Sequence, residues 1–363
     1  MSNYIEYKDN ITFHPGYYIK ELVDESGLTQ EDFAKRLGTT PKNLSILLKG
    51  EQSLSTDMAL KLSRMMGTSV SMWLNLQQAY DEKLAEIQSD KELEKEREVF
   101  KYIDYTYFRK NYNLPDLPRQ IDRQIKCVRE FLSVASLSVL KEDDFAVSFR
   151  SASNKLSGSD TVNANAMIQI AMNQTIKMDI PKYNKRKFEK AVEYALTQTK
   201  NHDNFYPIIR SAFEEAGVAL IVLPGLKNFG INGATKKVDG KIMLMVNERS
   251  HYADAFWFTL FGGIGQIMNG DMGLSTPDEK RNPSVQFALD ALVPEDKYKC
   301  FVKMRSFDEA SIRKFADSID RDPGIVLGRL IKDNKIPESD IYLSKKLRKP
   351  YSAVLENYGF RKN

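Results

Sequence analysis

The stretch Leu28–Gly50 constrains this chain more than any other, because it carries start and stop signals for two short helices with room for only a tight turn between them. Thr29 can cap a helix over Gln30–Leu37, in which Phe33, Ala34 and Leu37 fall on one side, as an amphipathic helix requires. Gly38 stops it. After Thr39, the pair Thr40-Pro41 is a cap followed by proline at the first helical position, which restarts a helix at once. This second helix reaches Gly50 and turns Leu44, Leu47 and Leu48 inward. Pro41, Lys42, Ser45, Ile46 and Lys49 then share the other face, since helical residues three, four and seven apart are neighbours.

That outward face is small, polar and basic, with one apolar side chain. It suits the major groove of a DNA duplex: Lys42 and Ser45 can reach base edges, Ile46 can meet a thymine methyl, and Gln30, Asn43 and Lys49 can hold phosphates. Thr40 completes the expected DNA-binding set. A merely solvated helix face has the same pattern, and the capped helix-turn-helix spacing is what favours DNA. Charge does not help. The net charge is +4 over 363 residues, and residues 1–80 hold eight Lys/Arg against nine Asp/Glu.

The run His14-Pro15-Gly16, then Gly27-Leu28-Thr29-Gln30, Ala34, Arg36-Leu37-Gly38, Gly50, Asp57-Met58-Ala59-Leu60-Lys61-Leu62 and Trp73-Leu74-Asn75-Leu76-Gln77, resembles the HigA-type antitoxins, a branch of the Xre-like helix-turn-helix regulators. The resemblance covers residues 11–82. It implies a homodimer that binds a palindromic double-stranded operator, represses its own operon and has a cognate protein toxin as partner. Glu51 stands where this family often has a basic residue, and Pro41 and Ile46 replace polar residues that many relatives use on bases. His14, before Pro15 at a helix start, reads as a cap or packing residue, and Trp73, Leu74 and Leu76 as core or dimer seam.

At roughly 100–200 residues per domain, a chain of this length should hold two or three domains. Residues 1–80 read as the helix-turn-helix domain and 81–99 as a charged connecting helix of good helix formers, leaving 100–363 for a larger domain. There a helix is expected over Gln120–Val139, a polar loop near Ser151–Asn163, and helices over 185–199 and 205–216. Val218–Leu223 and Lys241–Val246 read as strands, with turns at Gly233, Asp239 and Gly240; the Asp-Gly pair is a hairpin signal. Helices follow over 252–268 and 284–292, then the stretch 306–330 and a solvated Lys/Arg-rich tail. The expected class is mainly α with a small β-sheet: an all-α N-terminal domain plus an α+β C-terminal one.

Tyr252–Met268 would be a helix with Gly262, Gly263 and Gly265 in it, each costing about 1 kcal/mol relative to alanine, so close packing must hold it. The aromatic run and Thr259 ahead of these glycines resemble the core of ImmA/IrrE-type zinc peptidases, in which such a run leads into His-Glu-x-x-His. The likeness covers residues 100–350 and includes Phe287-Ala288, Leu292-Val293-Pro294 and Pro323–Leu330. It implies a degenerate zincin-like domain, because Gly262, Gly263 and Gln266 occupy the positions of the two imidazoles and the general base, and Pro283 falls near the acidic third ligand. No catalytic residue, metal or cofactor is therefore expected. His251, Asp254 and Asp271 could offer another metal site, but such residues are more often caps or solvated groups.

Cys127 and Cys300 stand far apart, so a disulfide framework or cysteine metal cluster is unavailable. No apolar run approaches the ~18 residues of a membrane span, and the N-terminus does not read as a secretion signal, so a cytoplasmic protein is expected. The expected function is an operator-binding antitoxin whose pseudo-peptidase domain engages a partner or ligand. A ligand-sensing Xre-type regulator without a toxin is the alternative.

Overall fold

The structure, a computed structural model, describes residues 3–8, 10–143, 145, 158–226, 231–247, 252–275 and 283–350. The chain divides into two units, Met1–Lys95 and Glu96–Asn363.

The N-terminal unit starts with a hairpin of β1 (Tyr4–Tyr7) and β2 (Asn10–Phe13), Tyr4 lying opposite Phe13. Five helices follow: α1 (Pro15–Glu25), α2 (Gln30–Leu37), α3 (Pro41–Leu48), α4 (Thr56–Met66) and α5 (Val70–Phe100). The hairpin corrects the expectation of an all-α N-terminal domain. A lone two-stranded hairpin is marginal in water, and here tertiary contacts supply the difference. Phe13 packs on Tyr17 of α1 with ring centroids 4.6 Å apart, while Lys8 at the turn reaches Asp90 of α5 at 3.2 Å. The helices close on a core in which Ile19, Phe33, Leu44, Leu47, Leu62 and Trp73 are fully buried, each contributing about 1.5–3 kcal/mol. Trp73 Nε1 donates to Thr68 Oγ1 at 2.8 Å, which leaves the indole satisfied. The charged helix expected over 81–99 is the later part of α5.

The second unit continues with α6 (Tyr105–Tyr112), α7 (Ile121–Leu132), α8 (Gly158–Lys177), α9 (Lys185–Thr197) and α10 (Phe205–Glu215). Then come β3 (Val218–Leu223), β4 (Gly233–Val238), β5 (Lys241–Asn247), α11 (Ala253–Asn269) and β6 (Leu274–Ser275). It ends with α12 (Pro283–Leu292), α13 (Glu295–Lys303), α14 (Glu309–Ser318), α15 (Pro323–Lys332) and α16 (Ile341–Leu347).

The sheet order is β3-β5-β4-β6, with β3 parallel to β5 and the other pairs antiparallel. Asp239 and Gly240 form the two-residue β4–β5 turn with φ of 49° and 76°, the left-handed pair that this hairpin needs. The inner strands are apolar because both faces are covered: α8 packs against β3, β4 and β5, while α11 packs against β4 and β5. Phe205, Trp257 and Phe261 are fully buried beneath it.

Three expectations change. The helix expected over Gln120–Val139 stops at Leu132, because Ser133 takes a left-handed conformation, and a short 3-10 turn follows at Leu137–Lys141. Residues 158–163 of the expected Ser/Asn-rich loop are the start of α8; burial of Val162, Ala164, Met167 and Ile168 outweighs the polar composition. Gly233 is not a turn but the first residue of β4, where a Cβ would strike the Met245 carbonyl of β5. The charged tail over 351–363 and the 151–157 part of the loop lie outside the described residues.

Candidate functional site

Local capping positions α2 and α3. Thr29 Oγ1 accepts from Asp32 N at 3.1 Å and donates to Asp32 Oδ2 at 2.8 Å; Gly38 ends α2 at φ 71°. Thr40 Oγ1 accepts from Asn43 N at 3.1 Å, Pro41 follows as the first residue of α3, and Gly50 leaves it at φ 70°. Leu44, Leu47 and Leu48 are buried. Lys42, Asn43 and Lys49 are exposed, as are Gln30 at the start of α2 and Thr40, whereas Ser45 and Ile46 are half-buried. The helix thus presents Lys42, Ser45 and Lys49 along one side, with Lys49 at its C-cap.

The cations around this face fall into two groups. Lys35 is held by Glu31 at 2.9 Å, and Lys61 by Asp57 at 2.8 Å and by the Gly38 carbonyl at 3.1 Å. Lys42, Lys49 and Arg36 form no ion pair among the described residues, so their charge remains available to an anion. Sequence reasoning did not single out Arg36 as a site residue. Its signal was a basic residue in the last turn of α2, and Asp32, four residues before it, is taken up by the Thr29 hydroxyl in the structure.

Behind α3, the reading of His14 as a cap or packing residue holds. His14 caps α1: its Nδ1 accepts from Gly16 N at 2.9 Å, and the ring is buried. Gly16 passes so close to the Leu47 carbonyl that a Cβ would overlap it. The motif His-Pro-Gly was the available signal.

In the second unit Gly262, Gly263 and Gln266 are all buried in α11. Gln266 is fully engaged. Its Oε1 accepts from Thr235 Oγ1 at 2.9 Å and its Nε2 donates to the Leu274 carbonyl at 2.9 Å, while Gly273 N donates to Thr235 Oγ1 at 3.2 Å. This network ties α11 to β4 and β6. At Gly263 a Cβ would strike Leu244 Cδ1, and at Gly265 it would stand 2.9 Å from Ser284 Cα, so these two glycines serve close packing. Gly262 has ordinary room, the nearest atom being Ser275 Oγ at 3.8 Å. Pro283 is exposed at the start of α12.

These residues do not fit a zinc ion, since two lack side chains and the third has both ends of its amide committed. Asp254 is consumed as well, by two bonds from Arg348 at 2.9 and 2.8 Å. Asp271 is exposed, His251 lies outside the described residues, and no three His, Cys, Asp or Glu come together among the described residues. Replacing Gln266 with leucine should strand the Leu274 carbonyl and the Thr235 hydroxyl in the core, at a cost of about 2–3 kcal/mol. Urea unfolding followed by Trp257 fluorescence in a Trp73→Phe background reads this; an unchanged midpoint would show that the network is dispensable.

Among the described residues no helix is long and apolar enough to cross a membrane. The helix-turn-helix family model matches residues 19–73. Over 66 residues the chain is 42% identical to the uncharacterized HTH-type transcriptional regulator YddM of Escherichia coli strain K12, covering 18% of this chain and 70% of that protein. Virulence-associated protein I of Dichelobacter nodosus is 35% identical over 74 residues, 20% of this chain and 68% of that protein. A solved structure from Nostoc punctiforme, of a protein named as an antidote of a plasmid maintenance system, is 30% identical. It covers 23% of this chain and 92% of its own at a TM-score of 0.23, and at that score the superposition adds nothing to the assignment.

Proposed function

This chain belongs to the helix-turn-helix family of DNA-binding regulators through its N-terminal unit, and on that premise we propose that it is an antitoxin: a dimer that binds operator DNA, represses its own operon and neutralises a protein toxin. The observation that carries the DNA-binding part is the side of α3 on which Lys42 and Lys49 stand exposed and unpaired about half-buried Ser45. Lys42 and Ser45 read bases; Gln30, Asn43 and Lys49, with the Thr40 hydroxyl, set the phosphate backbone in register; and Ile46 meets a thymine methyl. The toxin rests on the resemblance of residues 11–82 to the HigA-type antitoxins.

The C-terminal unit acts without catalysis in this reading and engages the toxin or a ligand. In support, Gly263 is spent on packing and Gln266 on its hydrogen-bond network, and Gly262 has no side chain to offer. Stoichiometric zinc in the purified full chain, with peptide cleavage, would overturn that. A regulator with no toxin is the second reading, favoured by the size of a unit that runs from Glu96 to Asn363.

Gel shifts on the duplex upstream of the reading frame, and on shuffled duplex, test the DNA roles. Lys49→Ala should weaken binding to both and reduce the slope of log affinity against log salt by about 0.9, the value of one phosphate contact. Ser45→Ala should change the preference between the two duplexes and leave the slope alone. Equal effects of both substitutions on both duplexes would sink the assignment of roles. Rescue of growth on co-expression with an adjacent toxin-sized gene separates antitoxin from toxin-free regulator.

A further inference from the structure

We propose that the C-terminal unit carries a second DNA-contacting surface, a sequence-independent hold on the phosphate backbone made by Lys182, Lys185, Arg186, Lys187 and Lys190 together with Lys237. Residues 177–190 and 236–241 contain nine Lys/Arg against three Asp/Glu, a net +6, whereas the whole chain carries only +4. The excess positive charge of the protein is therefore concentrated in these two segments, and the remainder is slightly acidic.

The fold joins the two segments at one end of the sheet. The approach to α9 crosses the β4–β5 turn: Tyr183 N donates to the Gly240 carbonyl at 2.9 Å, and Asn184 N donates to the Ala216 carbonyl at 2.9 Å. Lys241 Nζ, just past the turn, donates to the Met178 carbonyl at 2.6 Å. Gly217, at φ 78°, leaves room for this crossing, since a Cβ there would stand 2.6 Å from the Lys182 carbonyl carbon. Asn184 Oδ1 then caps α9 by accepting from Lys187 N at 3.0 Å. Phe188, Ala191, Val192 and Ala195 are the buried side of that helix, which leaves Arg186 and Lys190, four residues apart, on the outer side. Lys182, Lys185, Lys187 and Lys237 are exposed as well, and none of the six cations forms an ion pair among the described residues.

Stability does not explain this arrangement. Cations in the first turn of a helix oppose its dipole, and α9 has no acid there to offset Lys185, Arg186 and Lys187. Lys190 lies three and four residues after Lys187 and Arg186, spacings at which like charges repel. A polyanion on this surface offsets all of these repulsions. The cations come from a loop, a helix and a hairpin, so they can meet successive charges of an extended chain. A DNA duplex has one negative charge per ~1.7 Å of its axis, and the N-terminal unit of this chain belongs to a DNA-binding family. Lysine and arginine on phosphates carry no sequence information, so this surface adds affinity without choosing the site.

The test is fluorescence anisotropy of the full chain on a random-sequence duplex, from about 50 to about 200 mM salt. Lys185→Gln with Arg186→Gln and Lys187→Gln should reduce the slope of log affinity against log salt by about 2.7, three contacts at about 0.9 each, so wild type loses about 40-fold more affinity than the variant across that range. Lys297→Gln with Lys299→Gln and Lys303→Gln removes the same charge from α13 and should leave the slope near that of wild type. Lys185→Arg with Lys187→Arg keeps the charge and should keep the slope. An unchanged slope in the α9 glutamine variant, or an equal fall in the α13 variant, overturns the proposal. So does loss of binding to phosphatidylserine vesicles with duplex binding intact, which would give the surface to a membrane. Lys42→Ala with Lys49→Ala separates this proposal from the DNA reading of α3: an unchanged slope there beside a reduced one in the α9 variant sinks the α3 assignment and supports this surface, and the reverse sinks this surface alone.

Discussion

Replacing Asp254 with alanine should destabilise the C-terminal unit by about 3–5 kcal/mol, the cost of leaving one member of a buried ion pair without its partner. The side chains of Asp254 and Arg348 are 3% and 11% exposed, and the two bonds between them are 2.9 and 2.8 Å long. Tyr252 lies under the guanidinium, 4.0 Å from ring centroid to Cζ, so the arginine cannot swing to water without abandoning a second contact. The pair also fastens the end of the described chain to the start of α11, where Ala253 N donates to the Lys349 carbonyl at 2.9 Å. Urea unfolding read by Trp257 in a Trp73→Phe background measures the loss. The double change Asp254→Ala with Arg348→Met should recover part of it, because no orphaned charge then remains. A single-mutant loss below about 1 kcal/mol, the value of an exposed pair, would show that the pair is solvated in solution.

Gly16→Ala should cost the N-terminal unit about 3 kcal/mol, the upper end of ordinary overpacking, and should abolish sequence-specific DNA binding with it. Gly16 has no left-handed conformation to lose, and alanine is the better helix former by about 1 kcal/mol, so propensity alone predicts stabilisation. Space reverses the sign. The added methyl would overlap the Leu47 carbonyl oxygen and stand 2.9 Å from His14 Nδ1; a main-chain oxygen yields only if α3 moves. Gly27→Ala is the control, since that glycine has open space around it and a φ of 68°, and alanine there costs only about 1–2 kcal/mol of left-handed backbone strain. Thermal unfolding read by Trp73 in a Trp257→Phe background compares the two. Equal midpoints for both variants would rule out the α1–α3 contact as the cause.

The α2–turn–α3 element was legible because each of its signals is local. Thr29, Thr40, Pro41 and Gly38 act within four residues of themselves, and the structure finds each cap where the spacing put it. The Asp239-Gly240 turn was legible for the same reason. The hairpin at residues 4–13 and the helix over 158–163 were not. Tyr4, Ile5, Ile11 and Phe13 are as compatible with coil as with strand until Tyr17 and α5 come near. Ser159, Asp160 and Asn163 read as loop until Val162 and Met167 are buried.

The glycine-rich part of α11 shows the same division inside one helix. Composition already told that Gly262 and Gly263 have no ligand to give and that Gln266 is a neutral amide, which is a statement about covalent chemistry. What those residues do instead was decided by elements distant in sequence: Leu244 arriving over Gly263, Thr235 and Leu274 closing on the two ends of Gln266, and Arg348 reaching back to Asp254. Side-chain identity and short-range capping are properties of a few consecutive residues and survive without a fold. Partners of buried polar groups are chosen only when packing removes water, and that choice belongs to the tertiary structure.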